Sequence, residues 1–175
     1  MRVSWAPTWQ LTQTQLAEAR RLLDEVFDGA VDELDWSHSL GGFHALARHH
    51  SALVGHAALV PRRVICGARI LRGAFVEAVA VTPSWQRRGV GGRLMGRLET
   101  MIESGYSIGV LGSSPEGLGF YQRRGWRGWR GPTAAVTLAG VRSTPDVDGS
   151  ILVWSGDQVD LDGPLTCDWR GGKPW

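Results

Sequence analysis

The sequence predicts a mixed α/β domain built around a mostly antiparallel sheet. Three observations lead there. Strand and helix patterns alternate in the order β, α, βββ, α, β, α, β. Three of those strands follow one another across short breaks, as an antiparallel meander requires. A chain of 175 residues with 43% hydrophobic and 21% charged residues suffices for one domain, spanning 1–175, with its own core.

The first helix is expected from about Thr12 to Asp28. Thr12 and Gln15 have capping-box spacing, and Leu16, Ala19, Leu22, Leu23, Val26 and Phe27 recur at helical intervals. Gly41-Gly42 breaks the chain. Strand patterns then cover Phe43 to Arg48, Ala52 to Val64 and Ile70 to Val81, the last ended by Pro83. Gly89 to Glu103 carries a helical stripe of Val90, Leu94, Met95, Leu98, Met101 and Ile102, stopped by Gly105. Tyr106 to Leu111 reads as a short buried strand. Ser113-Ser114-Pro115 opens a further helix to about Arg124, with proline suited to an early helical position. Gly125-Trp126 begins the last strand group. The stretch from Arg142 to Gly149, rich in Gly, Pro and Asp, reads as a long loop.

Composition excludes several classes. No uncharged apolar run approaches the ~20 residues that a membrane helix needs. The N-terminus lacks the apolar core and cleavage-like site of a secretory signal, so the chain reads as cytoplasmic. Cys66 and Cys167 cannot build a disulfide framework or a zinc site by themselves. His38, His44, His49, His50 and His56 show no metal spacing joined to cysteine, so no metal is expected.

The net charge of +2 conceals a division. Residues 1–35 hold three arginines and seven acids, net −4. Residues 36–145 hold 14 arginines and four acids, net +10. Residues 146–175 hold two bases and six acids, net −4. The basic middle suits an anionic ligand and the acidic ends a cationic one. Solvated surface charge is the bland alternative. The acidic flanks would repel a phosphate backbone, which argues against a nucleic-acid-binding module.

The most specific feature is the run Gln86-Arg87-Arg88-Gly89-Val90-Gly91-Gly92 between a strand and a helix. Its glycines allow a tight turn and leave amide N–H groups uncovered. A helix start aims those amides and its positive dipole end outward, an arrangement that binds a diphosphate. Arg87 and Arg88 add full charge beside it. A dinucleotide-binding G-x-G-x-x-G spacing is not met, and a P-loop lacks its Gly-Lys-Ser/Thr. A glycine-rich turn with surface arginines is the remaining alternative.

This run resembles the hallmark of the GCN5-related N-acetyltransferase (GNAT) superfamily, Gln/Arg-x-x-Gly-x-Gly/Ala between strand and helix. The resemblance extends to Gly119-Phe120-Tyr121-Gln122-Arg123-Arg124-Gly125-Trp126, about thirty residues on. It implies a central, mostly antiparallel sheet flanked by helices and splayed to admit acetyl-CoA. Gln86 to Gly92 would hold the pyrophosphate, and Val79-Ala80-Val81 would pair with the pantetheine arm. A closer resemblance spans most of the chain. Asp35-Trp36-Ser37-His38-Ser39-Leu40-Gly41-Gly42, Val76-Glu77, Gly131-Pro132-Thr133 and Cys167-Asp168-Trp169-Arg170 near Trp175 are similar to motifs of the aminoglycoside 2′-N-acetyltransferases. That resemblance implies acetyl transfer to the 2′-amine of an aminoglycoside antibiotic, conferring resistance. A homodimer follows only from the habit of that family.

Candidate residues follow from both arguments. Glu77 lies in a strand otherwise rich in Ala, Val and Phe, and alternation sets Phe75, Glu77, Val79 and Val81 on one face. A carboxylate there can take the proton that a drug amine must lose before attack, directly or through water. A structural ion pair with an arginine is its alternative. Tyr121 can protonate the departing thiolate; a core aromatic is its alternative. Asp35, Asp146, Asp148 and Asp168 are the acids favoured for the drug, with the Trp175 carboxylate as a further acceptor, since binding groups concentrate in loops and termini. Asp32 and Glu33 read as helix-end or loop charges. Ala78, Gly112 and Ser113 complete the substrate set, although capping by Ser113 or Ser114 would also explain the serines. Lys173 and Ala30 stand where the resemblance implies acids.

The expected chemistry is direct transfer, with the Val79 N–H at the developing oxyanion. Cys66 and Cys167 lack a histidine partner in sequence and are not proposed as nucleophiles. The alternative acceptor is another amine, a peptide N-terminus or a cell-wall precursor. The acidic ends favour a polycation over either.

Overall fold

The computed structural model describes residues 1–155 and 159–175. The chain forms two compact units, one of residues 1–60 and 76–100, the other of residues 61–75 and 101–175.

The first unit opens on strand β1 (Arg2–Pro7), which pairs antiparallel with β2 (Phe43–His49). β2 pairs antiparallel with the first part of β3 (Ala52–Cys66). The last part of β4 (Arg69–Val81) also belongs here. Helix α1 (Gln13–Val26) begins as its sequence demands: Thr12 caps the Gln15 amide while the Gln15 side chain returns to the Thr12 N–H. Its Leu22 and Leu23 bury against Ala80 of β4, with Trp36 and Leu53 packed beside them. Helix α2 (Glu33–Ser37) was not expected; five residues are too few to show a period. Asp32 caps it, accepting from the Asp35 N–H at 2.8 Å. Helix α3 (Val90–Gly105) buries Val90, Leu94, Met95 and Leu98. Gly55 admits this helix onto β3: a Cβ there would stand 2.9 Å from Val90 Cγ1.

The second unit is an eight-strand ladder made from the first part of β4, the last part of β3 and six further strands. These are β5 (Ile108–Gly112), β6 (Arg127–Gly128), β7 (Thr133–Thr137), β8 (Gly140–Ser143), β9 (Ile151–Trp154) and β10 (Leu165–Cys167). Their order is β6-β9-β5-β4-β3-β10-β7-β8. The β4–β5 and β10–β7 pairs are parallel, whereas β5–β9, β6–β9, β10–β3 and β7–β8 are antiparallel. Helix α4 (Pro115–Gln122) follows β5. The core gathers Phe75, Ile108, Val110, Trp129, Ile151, Val153, Leu165 and Cys167. This confirms the mixed α/β, mostly antiparallel expectation. The expected Arg142–Gly149 loop is a correction. β8 runs into its first residues and a short 3₁₀ turn occupies Pro145–Val147. All four residues of β8 are exposed, so no buried alternation marks it in sequence.

Candidate active site

The first unit carries Asp35, Glu77 to Val81 and Gln86 to Gly92; the second carries Gly112, Ser113, Tyr121, Asp146, Asp148, Asp168 and Trp175.

The loop before α3 has the geometry an anion needs. Gln86, Arg87, Arg88 and Gly89 are exposed, and Val90 behind them is buried. Gly89 has φ +77°, a left-handed conformation suited to glycine, and a Cβ there would meet open space. Its carbonyl accepts the first helical bond, from Arg93 N–H at 3.1 Å. The amides of the first turn then point outward at the helix's positive end. Gln86 folds back, its side-chain amide donating to the Val81 carbonyl at 3.1 Å and tying the loop to β4. The Arg88 guanidinium lies 5.4 Å from the Trp85 ring centre. These groups fit a pyrophosphate. Reversing Arg87 and Arg88 to glutamate should weaken coenzyme A binding by about 2 kcal/mol or more, roughly thirtyfold. Calorimetric titration reads this, and an unchanged Kd in a folded double mutant removes the loop from the cofactor site.

The expected alternation in β4 needs correction. Ala78 has φ +53°, in the left-handed region that L-residues seldom enter. The two-residue period therefore breaks there, and Phe75, Glu77, Val79 and Val81 do not share one uninterrupted face. The Ala78 carbonyl accepts from His56 Nδ1 at 2.8 Å. Ala78 and Ala80 pack with the α1 cluster instead. Glu77 is half-buried immediately before Ala78, and Val79 follows it. Asp35 is half-buried in α2. Asp32 is the cap, and Glu33 lies 3.4 Å from Arg20, so these two serve the local structure as expected.

In the second unit, Tyr121 meets Phe120 and Trp126 edge-on, with ring centres 5.0 and 6.3 Å away. Burial pushes its phenol up to about 12, so it carries its proton at neutral pH. Gly112 ends β5 opposite Ile151. Ser113 donates its N–H to the Ser150 carbonyl and its hydroxyl to the Ser114 carbonyl, both at 2.9 Å. Ser114 occupies the N-cap of α4 without a side-chain cap bond, so capping does not explain either serine. Its hydroxyl is drawn to Glu116, whose own amide and then Ser114 hold that carboxyl below its usual range.

The C-terminal acids are embedded in hydrogen bonds. Asp148 Oδ1 accepts from the Thr133 N–H at 3.0 Å and its hydroxyl at 2.7 Å. Asp146 is exposed in the neighbouring 3₁₀ turn. Asp168 Oδ1 accepts from Arg62 Nε at 2.7 Å, and its Oδ2 from the Arg63 N–H at 3.1 Å. The same Arg62 donates to the Asp168 and Pro174 carbonyls, each at 2.8 Å. Its guanidinium stands 4.0 Å over the Phe75 ring. Trp175 stacks on Phe75, with centres 6.0 Å apart, and its indole N–H donates to Thr144 Oγ1 at 2.8 Å. Arg62 and Thr144 thus pin the last residues, and neither was singled out from sequence. One arginine among 18 carries no positional signal, and Thr144 lies in a stretch read as loop. Burial raises both cysteine thiols, which disfavours a thiolate nucleophile. Among the described residues no cluster of His, Cys, Asp or Glu could hold a metal.

The chain is similar to known proteins over most of its length. A model described as an acetyltransferase (GNAT) domain matches residues 9–128. A curated aminoglycoside 2′-N-acetyltransferase from Mycolicibacterium fortuitum is 39% identical over 173 residues, covering 96% of this chain and 89% of that protein. A GNAT family acetyltransferase from Brucella melitensis, solved in complex with acetyl-CoA, has a TM-score of 0.61 at 19% identity over 94% of each chain. Eis1 from Mycobacterium abscessus has a TM-score of 0.63 at 20% identity over 77% of this chain, which spans 33% of its length. The chain belongs to the GNAT acetyltransferases, and within them to the family of the aminoglycoside 2′-N-acetyltransferases.

Proposed function

We propose that the protein, as one N-acetyltransferase domain over residues 1–175, transfers an acetyl group from acetyl-CoA to the 2′-amino group of aminoglycosides in the cytoplasm. One observation carries this reading. Similarity to an aminoglycoside 2′-N-acetyltransferase runs over 96% of the chain, well beyond the residues 9–128 that the general acetyltransferase model matches. No helix among the described residues is long and apolar enough to cross a membrane. The reading needs no metal, nucleic acid or membrane, and a homodimer is part of it only by family habit.

Acetyl-CoA supplies the activated thioester. Gln86 to Gly92 grip its pyrophosphate, and the backbone of Val79, Ala80 and Val81 pairs with its pantetheine arm. Glu77 accepts the proton shed by the ammonium, directly or through water, so that the neutral amine can form the new N–C bond. The Val79 N–H stabilises charge developing on the thioester oxygen. As the C–S bond breaks, Tyr121 donates its phenolic proton to the sulfur. Its high pKa keeps that proton available. Asp35, Asp146, Asp148, Asp168 and the Trp175 carboxylate attract the drug's other ammonium groups, with Ala78, Gly112 and Ser113 lending further contacts. Asp168 also anchors the C-terminal segment through Arg62.

Thiol release from acetyl-CoA tests this across a panel of amines at several salt concentrations. Aminoglycosides with a 2′-amine should be the preferred acceptors, and their KM should rise steeply with salt, because several carboxylates hold a polycation. Preference for a peptide N-terminus or a cell-wall precursor, with KM insensitive to salt, contradicts the reading.

A further inference from the structure

Two buried histidines of the first unit have no part in the reaction described above. His44 in β2 and His56 in β3 are both fully buried. Their ring centres are 5.2 Å apart, and Trp36 lies 6.5 Å from one and 6.2 Å from the other. They form the middle of a hydrogen-bond chain. Thr8 Oγ1 is 2.8 Å from His44 Nε2, His44 Nδ1 is 2.9 Å from His56 Nε2, and His56 Nδ1 is 2.8 Å from the Ala78 carbonyl oxygen.

The last link fixes the direction of the others. A carbonyl only accepts, so His56 Nδ1 carries a proton. Burial pulls both imidazoles down to about 4, and each is neutral at pH 7. A neutral imidazole has one N–H, so His56 Nε2 accepts from His44 Nδ1. His44 Nε2 then accepts from the Thr8 hydroxyl at 2.8 Å, closer than the Gly42 carbonyl at 3.2 Å that the same hydroxyl also meets, and the Thr8 oxygen accepts from the Gly41 N–H at 2.9 Å. From Thr8 to Ala78 each link has a donor and an acceptor, and such chains strengthen cooperatively.

The ends of this chain show what it holds. One end is Ala78, a non-glycine residue in left-handed backbone between Glu77 and Val79. The other is the Gly41 turn that follows α2, the helix bearing Asp35. Trp36 of that helix leans on both imidazoles. The chain cannot carry a proton away from Glu77, because it terminates on a carbonyl oxygen. Its remaining role is mechanical.

We propose that Thr8, His44 and His56 are positioning residues for acetyl transfer: they fix the left-handed backbone at Ala78 and thereby the directions of the Glu77 carboxylate and the Val79 amide. This rests on the acetyl-transfer reading.

Three measurements test it. His56→Leu removes the donor while keeping bulk, and in the folded variant kcat should fall by about tenfold or more while Kd for coenzyme A stays within about threefold. His56→Asn places an amide N–H near the position of Nδ1 and should recover most of kcat. In the unaltered protein at pH 7, imidazole ¹⁵N shifts should show both rings neutral with the proton on Nδ1, a result independent of how any variant folds. The proposal is overturned by a His56 proton on Nε2. It is equally overturned by a folded His56→Leu with near-normal kcat, by a loss confined to coenzyme A affinity, or by equal losses in the Leu and Asn variants. Failure of the acetyl-transfer reading shows separately, as no thiol release by the wild-type protein with aminoglycosides. The tautomer and coenzyme A measurements stand in that case too.

Discussion

Glu77→Gln should lower kcat at pH 7 by about a hundredfold or more, the usual worth of a positioned base. The substitution keeps size and hydrogen-bonding shape, so the left-handed backbone at Ala78 and its bond to His56 should survive. On the proposed mechanism, what disappears is the acceptor for the amine proton. An aliphatic ammonium has a pKa well above 7, near ~10 in the lysine reference. Without the base, only the fraction already deprotonated can attack, and that fraction grows about tenfold per pH unit. The mutant should therefore gain rate steadily from pH 6 to 9, and its deficit against wild type should be largest at low pH. If Glu77 instead only orients the drug, KM rises with little change in kcat. A mutant pH–rate profile parallel to that of wild type would falsify the base assignment.

Arg62→Met should raise the KM for the drug by about tenfold while leaving coenzyme A affinity unchanged. Arg62 is nearly buried, with 6% of its side chain exposed, and it donates to Asp168 twice and to Pro174 once. Methionine restores the apolar contact with Phe75 but none of the donors. Charge-assisted hydrogen bonds are worth about 1.5–3 kcal/mol each when buried. The Asp168 side chain is 38% exposed, so solvent screening reduces its share. A loss of about 1–3 kcal/mol in the hold on the C-terminal segment is expected, enough to free Asp168 and Trp175 from one geometry. None of the Arg62 contacts involves the loop at 86–92, so cofactor titration is the internal control. Unchanged drug KM in a folded variant would remove the C-terminal segment from the substrate site.

The long periodic elements were legible in the sequence. α1 and α3 each span several turns of one period with one face on a core, and β2 to β4 are long strand-like runs whose buried stretches are continuous rather than alternating. The loop at 86–92 was legible for a different reason. Its glycines and arginines are a local arrangement whose geometry depends little on the rest of the chain, and Gly89 adopts the left-handed turn it was read to permit. The features that escaped are set by contacts distant in sequence. Nothing in Val-Glu-Ala-Val-Ala-Val marks Ala78 for positive φ, and the bond its carbonyl accepts comes from a histidine 22 residues away. Arg62 becomes an anchor only because β10 delivers Asp168, 106 residues later, beside it. His44 and His56 looked isolated because their pairing depends on the β2–β3 hairpin register, with His56 opposite Leu46 and His44 opposite Ala58. The acids show the same limit. Sequence marked Asp148 and Asp168 as charges, whereas their hydrogen bonds to Thr133 and Arg62 make them parts of the scaffold as well.

The central claim is that the acetyl group moves to one nitrogen, the 2′-amine. The direct measurement is NMR of the product after incubation with acetyl-CoA and an aminoglycoside bearing several primary amines. One acetyl group on the 2′-nitrogen, and no turnover with an analogue carrying a 2′-hydroxyl, is the predicted result. Acetylation at another nitrogen, or equal turnover of the 2′-hydroxyl analogue, would contradict it.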